Sequence, residues 1–325
     1  MNDALALACE LIQRDSVTPN DNGCQQLIGK RLEAAGFRVE HLPCNGVDNL
    51  WAVAGDNGPL LCLAGHTDGG PPGPESAWDS PPFTGTVEDG WLLGRGAADM
   101  KAGVAALVCA AERFRKAHPD HPGRLAVLLT SDEEGPAVDG TRHVVDWLAE
   151  QGEQIDYCIL GEPSSNETLG DTVKNGRRGS LNARITVRGS QGHVAYPQAA
   201  DNALHKLLPL LDELVTHHWD DGDAEFQPTS FQVSNLNAGT GAENVIPGTA
   251  EAAFNLRFNP RQTPEGLQQY IESRCQALGL DCHIDWHVSG RPFVTREGKL
   301  IDAAVSAVEA HFGHQPQLST GGGTS

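Results

Sequence analysis

The sequence predicts an α/β chain whose mixed sheet is flanked by helices and interrupted by a smaller inserted α+β lobe. Three observations predict it. The runs PLLCLAG (59–65), RLAVLLTS (124–131) and DYCILGEP (156–163) are apolar almost throughout and alternate with helical patterns, as strands covered on both faces do. After about residue 178 the pattern changes: SLNARITVRG (180–189), TSFQVSNLNA (229–238) and TAEAAFNLRF (249–258) alternate with period two, so each strand buries one face and wets the other. Finally, 325 residues exceed one comfortable hydrophobic core, and two lobes follow.

In chain order, helices are expected at 3–14 and 22–35, the second stopped by Gly36. VEHL (39–42) and NLWAVA (49–54) read as strands ahead of PLLCLAG. MKAGVAALVCAAERFRKA (100–117) is a helix, and DGTRHVVDWLAEQ (139–151) is the helix between the next two strands. In the second lobe, helices near 201–218 and 263–278 separate the strands, and HIDWHV (283–288) completes the order β-α-β-β-α-β. A helix at 298–312 returns to the first lobe. The expected domains are therefore 1–178 plus 293–325, with 179–292 inserted.

Twenty-three basic and 43 acidic side chains give a formal charge of −20. Binding nucleic acid or an anionic membrane through bulk charge is excluded. No apolar run approaches the roughly 20 residues of a membrane span, and the opening MNDALALACELIQRDS reads as an amphipathic helix and not a signal peptide. The eight cysteines (9, 24, 44, 62, 109, 158, 275, 282) include no CxxC pair. They are expected to be small core fillers in a reducing cytoplasm, and a cysteine-built zinc site is not expected.

Chemistry is carried by acidic and imidazole residues at or just beyond predicted strand ends. They are His66 and Asp68 in AGHTDGGPPG, Asp99 in GRGAADMKAG, Glu133 and Glu134 in LTSDEEG, and Glu162 in LGEPSS. Taken singly, each is ordinarily a turn residue or a helix cap. Taken together they deliver carboxylate and imidazole from several strand ends to the sheet edge where ligands collect in open α/β folds. Residues i and i+2 of an extended chain point the same way, so Asp68 can take the second imidazole N–H of His66 and fix its tautomer. Asp99 has two oxygens with which to bridge two cations. Adjacent Glu133 and Glu134 diverge, so one can bind metal while the other faces a water as general base.

These motifs, with WDSPPF between the first two, resemble the dizinc aminoacylase and carboxypeptidase superfamily, and within it the branch of succinyl-diaminopimelate desuccinylases. NGRRGSL (175–181), QGHVAYP (191–197), NAGTGAENVIPG (237–248), FNLRF (254–258) and STGGGTS (319–325) extend the resemblance over essentially the whole chain. It implies a zinc-peptidase-like catalytic lobe and two Zn2+ per subunit, with Co2+ as an alternative. His66 and Glu162 would bind one zinc, Asp99 would bridge both, Glu134 would bind the second, Glu133 would be the general acid/base, and Asp68 would orient His66. The inserted lobe would form a homodimer, from which His193 reaches the partner's oxyanion. Arg177, Ser180, Asn244, Arg257 and Thr324 would hold the carboxylates and polar ends of a small-molecule substrate, and Arg178 would be solvated.

The implied reaction is hydrolysis of N-succinyl-L,L-2,6-diaminoheptanedioate, with acetylornithine deacetylation or a related aminoacylase activity as the alternative, and a non-catalytic protein of the same fold as another. The sequence departs from the pattern in two places. Gly69 and Gly70 follow GHTD where apolar residues are usual, and the second zinc's remaining ligand, a His downstream of GGGTS, has no counterpart before Ser325. His311 and His314 lie outside the matching motif. The expectation is a tighter first zinc site and an incomplete second one.

Overall fold

The computed structural model describes residues 3–322. The chain divides into two compact units, Met1–Pro163 and Ser164–Ser325. The first is built from α1 (Asp3–Ile12), α2 (Cys24–Ala34), β1 (Arg38–His41), β2 (Asn49–Ala54), β3 (Leu60–His66), α3 (Ala102–Ala117), β4 (Arg124–Thr130), α4 (Thr141–Glu150) and β5 (Tyr157–Leu160). Its sheet has the order β1-β2-β4-β3-β5. The first two pairings are antiparallel and the last two parallel, which is the mixed sheet expected.

The continuous apolar strands are explained by the two cores they serve. Leu50, Ala52, Leu63, Leu125, Val127 and Leu129 pack with Leu7, Leu11, Ile28, Leu32, Val104 and Val108 of α1, α2 and α3. The intervening residues Trp51, Val53, Cys62, Ala64, Ala126 and Leu128 pack with Val144 and Leu148 of α4. Successive side chains point to opposite faces, and here both faces are dry. Each buried Leu or Val contributes about 1.5–3 kcal/mol.

Two boundaries near the expected site differ from the sequence reading. The helix predicted from 100 starts at Ala102, because Asp99 (φ −122°, ψ 102°) and Met100 (φ −127°, ψ 30°) are non-helical. Next to them Lys101 is buried, and its Nζ donates to the carbonyls of Leu11 and Arg14 at 2.9 Å each. A lysine thus satisfies carbonyls that the end of α1 leaves without helical partners. The strand predicted to 163 ends at Leu160, which leaves Glu162 in the loop beyond it.

The second unit contains β6 (Gly179–Arg188), α5 (Ala203–Thr216), β7 (Ser230–Ala238), β8 (Thr249–Phe258), α6 (Pro264–Ala277), β9 (Cys282–Gly290) and α7 (Lys299–Phe312). The four strands form an antiparallel sheet in the order β7-β8-β6-β9, so the β-α-β-β-α-β lobe is present. Leu181, Ile185, Phe254 and Leu256 of one sheet face pack on Leu207, Leu211, Leu267 and Ile271 of α5 and α6. Both helices start on side-chain caps. Asn202 accepts from the N–H groups of Leu204 and His205, and Thr263 from that of Gly266. Residues 176–177 pair with 293–294, and 172–174 with 317–319. These pairings lie within the second unit, which begins at Ser164. Among the described residues, no helix is long and apolar enough to cross a membrane.

The cysteine expectation holds only in part. Cys24, Cys62, Cys109 and Cys275 are buried, but Cys158 is exposed. It lies on β5, at the end of the strand order among the described residues.

Candidate active site

His66 is the last residue of β3 and is 1% exposed. Its neighbours are almost entirely carboxylates. Nδ1 lies 3.3 Å from Asp68 Oδ1 and 3.1 Å from the Asp68 carbonyl. Nε2 lies 3.1 Å from Asp99 Oδ1, 3.4 Å from Glu162 Oε1 and 3.9 Å from Glu133 Oε2. The elements account for the convergence. β3, β4 and β5 are parallel neighbours, so His66, the Glu133 turn after β4 and Glu162 after β5 leave the sheet at one edge. The non-helical step before α3 adds Asp99.

The charges perturb one another. Burial alone would lower the His66 pKa, but the Asp68 and Glu162 carboxylates outweigh it and push it up to about 11. For Asp68, burial is outweighed by the hydrogen bond and charge of His66 and by the Glu134 N–H, which hold its pKa below the usual value. Glu133 is pushed up to about 7, first by burial and then, against the pull of His66, by the charges of Glu162, Glu134 and Asp68.

Donor atoms of His66, Asp99 and Glu162 lie within 4.8 Å of one another. One imidazole nitrogen with carboxylate oxygens is a donor set of zinc type, and a divalent cation would offset the excess of negative charge. The residues present therefore fit a metal ion. Glu133 stands at the edge of this group. Glu134 is exposed and is not part of it; a Cβ on Gly70 would lie 3.8 Å from Glu134 Oε2.

Asp68 does more than the sequence suggests. Its two oxygens face the backbone N–H groups of Glu133 at 3.4 Å and Glu134 at 3.1 Å, so it also positions the acidic turn. Thr67 braces the same strand end. Its hydroxyl donates to Asp21 Oδ1 at 2.6 Å and its N–H to the Thr130 carbonyl at 2.8 Å. Buried Gln25 donates through Nε2 to the Asp48 carbonyl at 2.8 Å, and its own N–H goes to Asp21 Oδ2 at 2.9 Å. A sequence signal for Thr67, Asp21 and Gln25 is lacking, because their partners are distant in the chain.

The second unit groups most of the residues expected to hold substrate. Ser180 on β6 is paired with Arg257 on β8, and its hydroxyl accepts from Asn255 Nδ2 at 3.0 Å. Arg177 lies over the Phe293 ring at 5.8 Å, and burial followed by the charge of Arg257 lowers its pKa. Arg178 corrects the expectation of a solvated side chain. It is half-buried, and the same two causes lower its pKa. Arg178 Nε and Arg257 Nη1 are buried without a hydrogen-bond partner among the described residues. The Arg177 and Arg178 guanidinium groups, lowered in pKa by burial and then by the charge of Arg257, together with the unpaired N–H groups of Arg178 and Arg257, suit an anionic ligand.

Asn244 and His193 are neighbours. Val194 N–H donates to the Asn244 carbonyl at 3.1 Å, and His193 pairs with Val245. His193 is exposed, and its Nδ1 accepts from the Ala195 N–H at 3.1 Å. Thr324 lies outside the described residues.

A sequence profile of peptidase family M20/M25/M40 matches residues 62–325. The chain is 60% identical over 325 residues to succinyl-diaminopimelate desuccinylase of Halorhodospira halophila, covering all of this chain and 86% of that protein. It is 56% identical over 326 residues to the protein of that name from Stutzerimonas stutzeri, covering 85% of it. Its fold is similar to that of an M20 family metallo-carboxypeptidase from Sulfolobus solfataricus, with TM-score 0.83, 17% identity, and 98% of this chain and 86% of that one covered. A dinuclear metal-binding M20 peptidase from Bacillus subtilis gives TM-score 0.71 at 16% identity, with 99% of this chain and 82% of that one covered. The match of the family profile over most of the length, joined to relatives of such identity, means that the chain belongs to peptidase family M20/M25/M40.

Proposed function

We propose that this metal-dependent amide hydrolase cleaves N-succinyl-L,L-2,6-diaminoheptanedioate to succinate and L,L-2,6-diaminoheptanedioate, in the cytoplasm, for diaminopimelate and lysine biosynthesis. One observation carries the substrate: the likeness to succinyl-diaminopimelate desuccinylases at 55–60% identity over the whole chain. The acidic nest around His66 supports the chemistry.

In this reading His66, Asp99 and Glu162 hold one zinc ion, and Asp99 and Glu134 contribute to a second, with Co2+ as a substitute. When bound, the ions lower the pKa of a water toward roughly 7 and polarise the amide carbonyl. Glu133 removes a proton from the attacking water at its carboxylate and returns it to the leaving amine nitrogen. A carboxylate placed beside the attacking water can make both transfers. Asp68 keeps the imidazole of His66 in one tautomer. Arg177 and Arg257, with Ser180, Asn244 and Thr324, hold the substrate's carboxylates and polar ends, and Arg178 joins them. The 179–292 lobe carries a homodimer contact, and His193 donates to the oxyanion in the partner subunit's site.

Side-by-side kcat/KM values on the succinylated substrate and on N-acetylornithine test this. The acyl end of the acetyl compound has no carboxylate for the arginines, so the succinylated substrate is expected to turn over faster. Faster turnover of N-acetylornithine would replace this reading with the deacetylase one.

A further inference from the structure

Cys62 and Cys158 occupy directly paired positions on the parallel neighbours β3 and β5. Paired residues on adjacent strands lie about 4.8 Å apart in the strand-to-strand direction, inside the window of roughly 4.4–6.8 Å that a disulfide requires of its Cα atoms. In-register side chains also share a sheet face. Cys62 is on the face packed by α4, and Cys158 stands beside it. Cys62 is buried and Cys158 exposed. Four residues further along the chain come His66, the last residue of β3, and Glu162, in the loop beyond β5.

We propose that Cys62 and Cys158 are an oxidation site, and that a peroxide converts them to a disulfide linking β3 to β5 directly beneath His66 and Glu162. Cys158 is the attacking thiol, because it is the exposed member. Its sulfur attacks one peroxide oxygen, the O–O bond breaks, the displaced hydroxide leaves as water with the Cys158 thiol proton, and a sulfenic acid forms. The Cys62 sulfur then attacks the Cys158 sulfur. The S–S bond forms, and the displaced hydroxide leaves with the Cys62 proton as water. Two thiols lose two electrons, and hydrogen peroxide is reduced to two waters.

The electrostatics agree with these roles. The hydrogen bond from Cys62 outweighs burial and lowers the Cys158 pKa, while the same bond and burial raise that of Cys62. An exposed thiol of lowered pKa beside a protonated resolving thiol is the arrangement that reacts with peroxide. The other neighbouring pair, Cys275 and Cys282, differs. Burial is the first cause pushing Cys275 up to about 12, and the pair is far in sequence from any proposed ligand.

A disulfide draws the two strands into its own geometry, and the interior around them is too well packed to absorb the shift. His66, at the end of β3, and Glu162, two residues beyond the end of β5, move relative to each other. This consequence rests on their assignment as metal ligands; the disulfide itself does not.

The test uses the reduced full-length chain, loaded with zinc and treated with a few equivalents of hydrogen peroxide, then alkylated, digested and mapped by mass spectrometry. The expected result is a linked Cys62–Cys158 peptide that forms before any other oxidised cysteine product. Bound zinc should fall at least several-fold, and dithiothreitol should restore it. Cys62→Ala should stop at a Cys158 sulfenic acid that dimedone traps, and Cys158→Ser should keep its zinc under peroxide. Both variants are checked for the unoxidised Tm first, and Cys62→Ser is a second choice if Cys62→Ala is unstable. Cys62 and Cys158 remaining reduced while Cys275 and Cys282 oxidise would overturn the site. A linked peptide with zinc content unchanged would overturn the coupling to the ligands, and the peptide map reads the same whether or not the proposed substrate is correct.

Discussion

Asp68 lies with Oδ1 3.3 Å from His66 Nδ1, and the same buried carboxylate accepts the Glu134 N–H at 3.1 Å. One side chain thus sets both the ring of a proposed ligand and the turn that carries the proposed base. Asp68→Ala removes the ring's partner and leaves two backbone N–H groups without acceptor. Such partners of a metal-bound histidine are typically worth 10- to 100-fold in affinity, and a loss of that size is expected in a zinc titration by calorimetry. Asp68→Asn keeps one acceptor oxygen and should lose less. Equal zinc affinity in wild type and Asp68→Ala would show that the ring needs no such support.

Glu133 is near the acidic group, 3.9 Å from His66 Nε2, but outside the three side chains whose donors converge. Glu133→Gln is therefore expected to bind zinc as wild type does while kcat falls by roughly 10²–10⁴-fold, the usual share of a general base. Metal content and turnover measured on one preparation separate the two. Turnover within a few-fold of wild type would shift the base role to Glu134.

What was legible in the sequence follows the distance over which each signal acts. His66, Glu133 and Glu162 could be placed because a strand end is local, and parallel strands bring their ends to one edge. The α/β character of the first unit and the β-α-β-β-α-β order of the second were legible for the same reason, since period and length are local properties. Arg178 was misjudged, because its half-buried setting near the charge of Arg257 comes from residues distant in the chain, brought close by the pairing of β6 with β8. The Cys62–Cys158 pairing was out of reach too. It depends on the order β4-β3-β5, in which the chain leaves β4 and crosses β3 to add β5. Asp99 was named as a candidate from its motif, but the helix boundary beside it was missed: the helical periodicity of 100–117 does not reveal that Met100 is non-helical.

Acid stability has an identifiable contributor in the second unit. Asp220 Oδ1 accepts from the N–H groups of Gly222 at 2.9 Å and Thr229 at 3.1 Å, and from Asn259 Nδ2 at 2.5 Å. Burial works against its charge, but the hydrogen bonds from Thr229, Gly222 and Asn259 prevail and lower its pKa from 3.8 to about 2. A folded-state pKa below the unfolded one gives stability that is present above about pH 4 and is lost as pH falls through about 2. The linkage is worth at most about 2 kcal/mol, and less after solvent screening of a partly exposed group. Asp220→Ala should lower the Tm of this unit near neutrality, and the gap to wild type should narrow between about pH 4 and pH 2 in a series of thermal melts. A gap independent of pH would assign the effect to packing.

Gly103, in the first turn of α3, tests how tightly that helix holds the Glu162 loop. Helix propensity alone favours alanine there by about 1 kcal/mol. The surroundings oppose it. A Cβ at this position would lie 2.1 Å from the Gly161 carbonyl oxygen, and Gly161 is held in turn by its N–H bond to the Ala64 carbonyl at 3.1 Å. No side-chain rotation relieves a contact with backbone, so either α3 or the Gly161–Glu162 segment must move, and overpacking of this kind costs about 1–3 kcal/mol. Gly65 is the control. Its Cβ would lie 2.6 Å from Met100 Cε, the end of a flexible thioether, and 3.1 Å from Met100 Sδ and Val104 Cγ2, so it meets side chains and no backbone. Gly103→Ala should therefore lower Tm and weaken zinc binding roughly tenfold (about 1.4 kcal/mol) by displacing Glu162, whereas Gly65→Ala should change both less. Thermal melts and zinc titration of the two variants decide it. A Gly103→Ala protein as stable as wild type, with unchanged zinc affinity, would mean that the Glu162 loop is free to yield and that α3 does not position it.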